Sequence, residues 1–582
     1  MTSNDPARYW RWLAALLVPA VSLHVAVLAR ETRHGRDGAG LATIRYPDEQ
    51  NCYMLCANEF VAEGWGFLRD ERVLRSPPLP WMWLLAWGRS VVATRFANIG
   101  LTLVGAVLIS LVARDRYGRR VGLWAFALCA GGYQIVHYGG TVLSEPPAVF
   151  FVCLCLWLVH RAILGRRGRY LVLIGVTLGL AALSRTAMQL FPLILVAAWW
   201  LADRWRRRGD LPRPTFGLKD AAIVLAVYVA VCAPWVTKNY LTCGVARLAN
   251  GFGAVMFLGS DLRCDGDEPV FSGMDWQTRQ VTGEFTHLQT EGDRRLMRAA
   301  KENISRHPWA WAALSLPKAG RTLIGNPNWH CFPADHYQAR QRIEGAGPTA
   351  VVFAWWTVGG TLVTLFGLAG LFAMFRKVPA LAAGCLGLVV YVVGLHAISF
   401  AGPRFGLPVY PALVVGCCEF AARRRPRWLS TALVAGSLFV ALYLGFYHAY
   451  VPRCLVSQGK RDYFTLDKRW EPPAGAADEL MLDAEGISPA HNACLFVEVA
   501  VEPLPEDGTR SCLLRLRPRG EAAFGEADAI SFPLLADGDP HLYQLCVQAR
   551  PRWREGGWEA LSVKVEPPGG SAASIRAVSL GH

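Results

Sequence analysis

A chain of 582 residues, 53% of them hydrophobic, is too apolar for an average soluble protein and too long for one ordinary domain. Its net charge of +15 does not mark a nucleic-acid-binding protein, because the arginines stand in short clusters between apolar runs and no nucleic-acid fold signature accompanies them.

The apolar runs predict about eleven transmembrane helices, at 12–29, 95–113, 121–139, 147–163, 170–184, 187–202, 220–237, 349–375, 379–399, 407–422 and 429–447. Each is close to the roughly 20 residues that cross a hydrocarbon core about 30 Å thick. Arg8 and Arg11 precede the first run as in a signal peptide, but no small-residue cleavage site follows, so an uncleaved helix is expected. Counting alternate sides brings the N-terminus, 114–120, 160–169, 203–219, 376–377 and 423–427 together. These are the strongly basic short connections, and the positive-inside rule assigns their side to the cytoplasm. The stretch 79–88 is apolar but too short to span; Trp81, Trp83 and Trp87, followed by Arg89 and Arg95, predict a helix lying at the interface.

Three long segments then fall on the extracytoplasmic face: 30–78, 239–348 and 451–582. Beyond 450 the apolar runs give way to short alternating stretches at 513–516, 542–547, 561–565 and 575–580, separated by Pro, Gly and Asp. That pattern predicts an all-β domain, a small sandwich. The expected fold is a polytopic α-helical membrane domain over 1–450 followed by an extracytoplasmic β-sandwich over 451–582. The sixteen cysteines divide between apolar runs and loops; Cys243, Cys264, Cys331, Cys454, Cys494, Cys512 and Cys546 are able to pair on an oxidising face, in a connectivity that spacing leaves open.

Candidate chemistry gathers at the outer ends of the spans. In the first outer loop Asp48 and Glu49 stand side by side, with Tyr53 beyond them. A carboxylate at a membrane surface can take the proton of an attacking hydroxyl, although two solvated loop acids would look the same. Glu145, in Ser144-Glu145-Pro146-Pro147, lies where the third span gives way to the fourth. An acid at that depth is a functional candidate by default, and the alternative is a helix-start acid favoured by the helix dipole. Arg185, Lys238 and Arg404 break the positive-inside pattern and suit a lipid phosphate, or the headgroups of ordinary membrane lipids. His287, His307, His330 and His336 with Asp335 carry only a weak metal signal. Trp470, Trp553 and Trp558 suit sugar stacking, but tryptophans of this kind more commonly fill a sandwich core.

The ordered set resembles the GT-C superfamily of membrane glycosyltransferases, especially the branch of protein O-mannosyltransferases and the bacterial lipid A aminoarabinose transferase. The landmarks are Asp48-Glu49 with Tyr53, Pro77-Pro78-Leu79, Arg95, Ser144-Glu145-Pro146, Ser184-Arg185, Pro234-Trp235 with Lys238-Asn239-Tyr240, and Arg404-Phe405 with Leu407-Pro408. They cover roughly residues 10–450. The resemblance implies an inverting transfer of a sugar from a polyprenyl-phosphate donor to a lipid, glycan or protein acceptor. It implies Asp48 as catalytic base, Glu145 as the second acidic residue and Arg404 against the carrier phosphate, with Glu49, Tyr53, Arg185 and Lys238 as substrate-binding candidates. A divalent cation is the one cofactor it admits, without requiring it. Two departures stand out: three residues, rather than about two, separate the acidic pair from its tyrosine, and position 238 is lysine where arginine is commoner. The competing classes are a transporter or flippase of a lipid-linked saccharide and a membrane-anchored glycan-binding protein. No internal repeat supports inverted transporter halves, and the candidate residues gather at the surface, away from the midplane.

Overall fold

The computed structural model describes residues 6–32, 40–42, 49–165, 167–206, 216–260, 281–282, 285, 289–324 and 358–422, and the strands between 456 and 581. Seven of the described helices are long and apolar enough to cross a membrane. They include α1 (Pro6–Thr32), α4 (Val91–Tyr117), α7 (Glu145–Leu164), α10 (Leu218–Cys243) and α15 (Pro379–Ile398). The other two are α9 (Phe191–Arg206) and α16 (Tyr410–Ala422), each entered through a short 3-10 segment. Shorter apolar helices α8 (Arg167–Ser184) and α14 (Gly359–Phe375) fall on two further expected spans. The expected span at 429–447 and the first part of 349–375 lie outside the described residues.

Local chemistry accounts for the boundaries. Ser90 caps α4 by accepting the N–H of Ala93, and Gly118 at φ 91 ends it, a conformation that L side chains resist. Helix α3 (Pro78–Ala86), which opens on prolines, has nine residues and reaches only about 13 Å. It is too short to span, as its sequence indicates. Trp81 on it is buried against Phe60, Phe67 and Trp235, while Met82 and Trp87 remain exposed.

The third expected span departs from the sequence expectation. The single helix expected at 121–139 is broken into α5 (Arg119–Gly131) and α6 (Tyr133–Gly139) by extended backbone at Gly132. An uninterrupted helix would join the N–H of Gly132 to the carbonyl of Leu128. That carbonyl instead accepts the hydroxyl of Tyr410, 3.2 Å away, and a Cβ at position 132 would collide with the same tyrosine ring. The ring satisfies the orphan group and occupies the space that the missing side chain leaves.

The helices share one apolar core, in which α4 packs on α5 and α7, α7 on α8, α8 on α10, and α9 on α15. Helices α14 and α16 approach through Gly367, Gly370 and Gly416, where a Cβ would meet the opposing backbone. Small residues at such a contact are how apolar helices gain close packing in lipid. The described residues of 239–348 include α11 (Phe252–Ser260), α12 (Thr290–Arg306) and α13 (Pro308–Ile324).

The C-terminal segment forms two antiparallel sheets, ordered β1-β7-β4-β9-β2 and β3-β8-β5-β6. Their strands are β1 (Val456–Gln458), β2 (Leu466–Trp470), β3 (Glu479–Asp483), β4 (Cys494–Val501), β5 (Arg510–Pro518), β6 (Ile530–Leu534), β7 (Pro540–Cys546), β8 (Trp558–Glu566) and β9 (Ala573–Gly581). Leu495, Val497, Tyr543 and Val578 of the first sheet share a core with Leu480, Leu514, Leu561 and Val563 of the second. Side chains from two facing sheets meet in this way in a sandwich core. Trp470 packs at the edge of this core.

Candidate active site

Glu145 opens α7, where Pro146 and Pro147 occupy first-turn positions that need no N–H donor. The residue is 2% exposed. One carboxylate oxygen lies 2.6 Å from a terminal nitrogen of Arg185 and 3.7 Å from Nε of Arg404. The other accepts the hydroxyl of Ser144 at 3.2 Å, and that hydroxyl oxygen accepts a second bond from Arg185. Helix ends set this convergence. Arg185 takes extended backbone between α8 and the 3-10 turn 186–188, and Arg404 lies in the 3-10 segment Pro403–Val409 that leads into α16.

Both guanidiniums are almost fully buried, and both lie over Phe405, at 5.1 and 5.2 Å from its ring centre. His396 stacks on that ring at 4.6 Å and 9°. An aromatic ring within reach of both arginines offsets part of the cost of holding like charges together. Two guanidiniums converge on one carboxylate here, and buried guanidiniums at the end of a helix suit an anionic ligand.

Glu49 belongs to a second buried ion pair. Its carboxylate is fully buried, 3.4 Å from Arg95, and accepts the backbone N–H of Val142 at 2.8 Å. Arg95 also donates to the carbonyl of Leu41, and Asn98 joins Trp83 to the carbonyl of Thr141. These bonds fasten the segment between α1 and α4 to the residues immediately before Glu145. Tyr53, in the π-helical turn Glu49–Met54, is buried in the core. Asp48 lies outside the described residues, as do His287, His330, His336 and Asp335. His307 ends α12.

The geometry of Glu49 predicts an anchoring role. Glu49→Ala would leave Arg95 charged and buried without this carboxylate, a change that costs about 3–5 kcal/mol. A marked fall in the thermal midpoint of the purified protein is expected; an unchanged midpoint would contradict the anchor.

Lys238 is held apart from Glu145. Its ammonium donates to the carbonyl of Leu68 at 3.2 Å and lies 4.1 Å from the ring centre of Trp235, so α10 is tied to the segment between α1 and α4. Two further cations do not stand out in the sequence: Lys318 and Arg321 on α13 are almost wholly buried, and Lys318 donates to the carbonyl of Gly259. Helix α13 packs against the segment that bears Arg404, with Gly406 pressed on the carbonyl of Thr322. A readable signal was present, since two bases three residues apart interrupt the apolar face of an amphipathic helix.

Beside the broken span lies an apolar cavity of about 440 Å³, lined among others by Leu128, Gly132, Gln134, Val363, Phe366 and Tyr410. Chain continuity links its walls to the charged cluster, because α6 leads to Glu145 and the Arg404 segment leads to Tyr410.

Solved structures similar to this chain include an archaeal oligosaccharyltransferase and a mycobacterial arabinosyltransferase. The Archaeoglobus fulgidus oligosaccharyltransferase in the apo form is 12% identical, with 76% of this chain and 56% of that chain aligned at a TM-score of 0.39. The same archaeal enzyme in complex with an inhibitory peptide and a dolichol-phosphate is 12% identical, over 78% and 57% of the two chains, at 0.39. Arabinosyltransferase EmbB from Mycobacterium smegmatis is 11% identical over 100% and 65%, at 0.31. The chain thus spans little more than half the length of the archaeal enzyme, and scores this low carry no residue from one site to another. No curated protein matches the sequence. The family match rests on residues 77–236, which fit the dolichyl-phosphate-mannose-protein mannosyltransferase family. The likeness to this family is carried by that segment, which holds Arg95, Glu145 and Arg185.

Proposed function

We propose that the protein transfers a sugar from a polyprenyl-phosphate-linked donor to a lipid, glycan or protein acceptor on the extracytoplasmic face of the cell's inner (plasma) membrane, inverting the anomeric centre. The buried cluster of Glu145, Arg185 and Arg404, two cations around one acid at the ends of membrane helices, is the observation that carries this reading.

In the proposed reaction the acceptor hydroxyl attacks the anomeric carbon while Asp48 accepts its proton. The bond from that carbon to the carrier phosphate breaks, and the phosphate leaves as an anion, so no strong general acid is needed. Arg404 and Arg185 stabilise the charge that develops on it, and Glu145 keeps the two guanidiniums apart and aimed. Glu49 and Tyr53 support the loop that carries Asp48, and Lys238 holds that loop to α10. The apolar cavity beside Gly132 accepts part of the carrier's isoprenoid chain. Among the described residues no group of three His, Cys, Asp or Glu side chains is arranged to hold a metal, and no step of this reaction is routed through one.

The phosphate contact has a direct kinetic test. Arg404→Ala is expected to raise the KM for the lipid-linked donor about tenfold or more, the loss of one charge-assisted contact, with the acceptor KM unchanged. An unchanged donor KM would contradict the contact.

A further inference from the structure

We infer that Cys494 and Cys546 form a disulfide across the first sheet of the C-terminal sandwich. The observation is one of register. β4 and β7 run antiparallel without a shift from Cys494↔Cys546 through Ala500↔Pro540, so the first residue of one strand stands directly opposite the last residue of the other. Directly opposed residues in such a ladder have Cα atoms about 4.5 or 5.5 Å apart, according to whether the pair is hydrogen-bonded. Disulfides span Cα separations of about 4.4–6.8 Å, so either class of pair is within reach.

The alternation along the strands places this pair. Leu495, Val497 and Val499 are buried in the sandwich core, as is Tyr543, the register partner of Val497. Cys494 is one residue from Leu495 and Cys546 is three from Tyr543, so both positions fall on the sheet face opposite the core. Cys512 has a different placement: it is fully buried in the core of the other sheet, on β5. The register therefore pairs two of these three cysteines with each other.

The bond would close a loop over 495–545, which includes β5 and β6 and therefore half of the second sheet. A link at that point joins the two sheets through the chain as well as through their shared core. Formation removes two hydrogens and two electrons from the thiol pair; the acceptor is the disulfide of an extracytoplasmic thiol oxidant, which is reduced to a dithiol. This assignment rests on the outward orientation of the domain, because a cytoplasmic domain would stay reduced.

Peptide mapping tests it. Membranes are opened in iodoacetamide, and the purified full-length protein is digested with trypsin without reduction. Cleavage isolates Cys494 in 470–510, Cys546 in 520–552 and Cys512 in 511–515. The expected result is a linked species of 470–510 and 520–552, two hydrogens lighter than the sum of its peptides. Cys494→Ser should remove it and make Cys546 alkylatable. Recovery of both peptides alkylated from the wild type would overturn the proposal. Incubating the native protein with oxidised glutathione then separates the causes. A link formed only there means that the register holds and the orientation fails, whereas no link means that the pairing itself fails.

Discussion

Asp48→Asn is expected to abolish sugar transfer while leaving membrane insertion, thermal stability and donor binding as in the wild type. The substitution keeps the shape of the side chain and removes its capacity to accept a proton. A positioned general base contributes about 10²- to 10⁴-fold to rate, and that is the loss expected in kcat. In the proposed reaction the phosphate leaving group requires no matching acid, so loss of the base falls on its one proton transfer. Turnover near that of the wild type would remove Asp48 from the mechanism. A parallel loss of donor binding would move it to a binding role.

Glu145→Gln is the second large effect. The amide fills the same space but leaves Arg185 and Arg404 without the carboxylate that lies 2.6 and 3.7 Å from them. Removing one partner of a buried ion pair costs about 3–5 kcal/mol, so the thermal midpoint should fall. Transfer should fall as well, by about 100-fold, the effect of displacing groups that meet the reacting phosphate by about 1 Å. A double variant separates the two consequences. Glu145→Gln with Arg185→Gln removes one of the two charges and should recover stability, but it also removes a proposed phosphate contact and should leave transfer low. Recovery of both would mean that Glu145 is only a structural partner, and full activity of the single variant would mean that the cluster lies outside the site.

The transmembrane frame is readable from the sequence because an apolar run of spanning length, repeated many times along a chain, finds enough apolar surroundings only in lipid. Glu145 is marked as well, since an acid between apolar runs and followed by two prolines stands out without any tertiary information. The grouping of Glu145 with Arg185 and Arg404 is less accessible, because three helix ends meet there and only packing brings distant segments together. Arg185, Lys238 and Arg404 look alike in the sequence, each a base at an outer span end. Two of them share Glu145, whereas Lys238 meets the carbonyl of Leu68. The break in the third span has a local signal in Gly131-Gly132, but its cause is Tyr410, far along the chain. Helix α12 is hidden for another reason: its polar face outweighs the narrow apolar one of Leu296 and Ala300, so a search for long apolar runs passes over it. In the sandwich, alternation reveals the strands, but the order of the sheets and the facing of Cys494 and Cys546 require the register.

Transfer of radiolabelled sugar from a panel of polyprenyl-phosphate donors, with purified wild-type protein and a membrane extract as acceptor, tests the central claim most directly. The account predicts that at least one donor loses its sugar to an acceptor and that the released carrier appears as a polyprenyl phosphate. Folded protein that binds these donors but neither transfers nor hydrolyses any of them would contradict it and point to transport or binding.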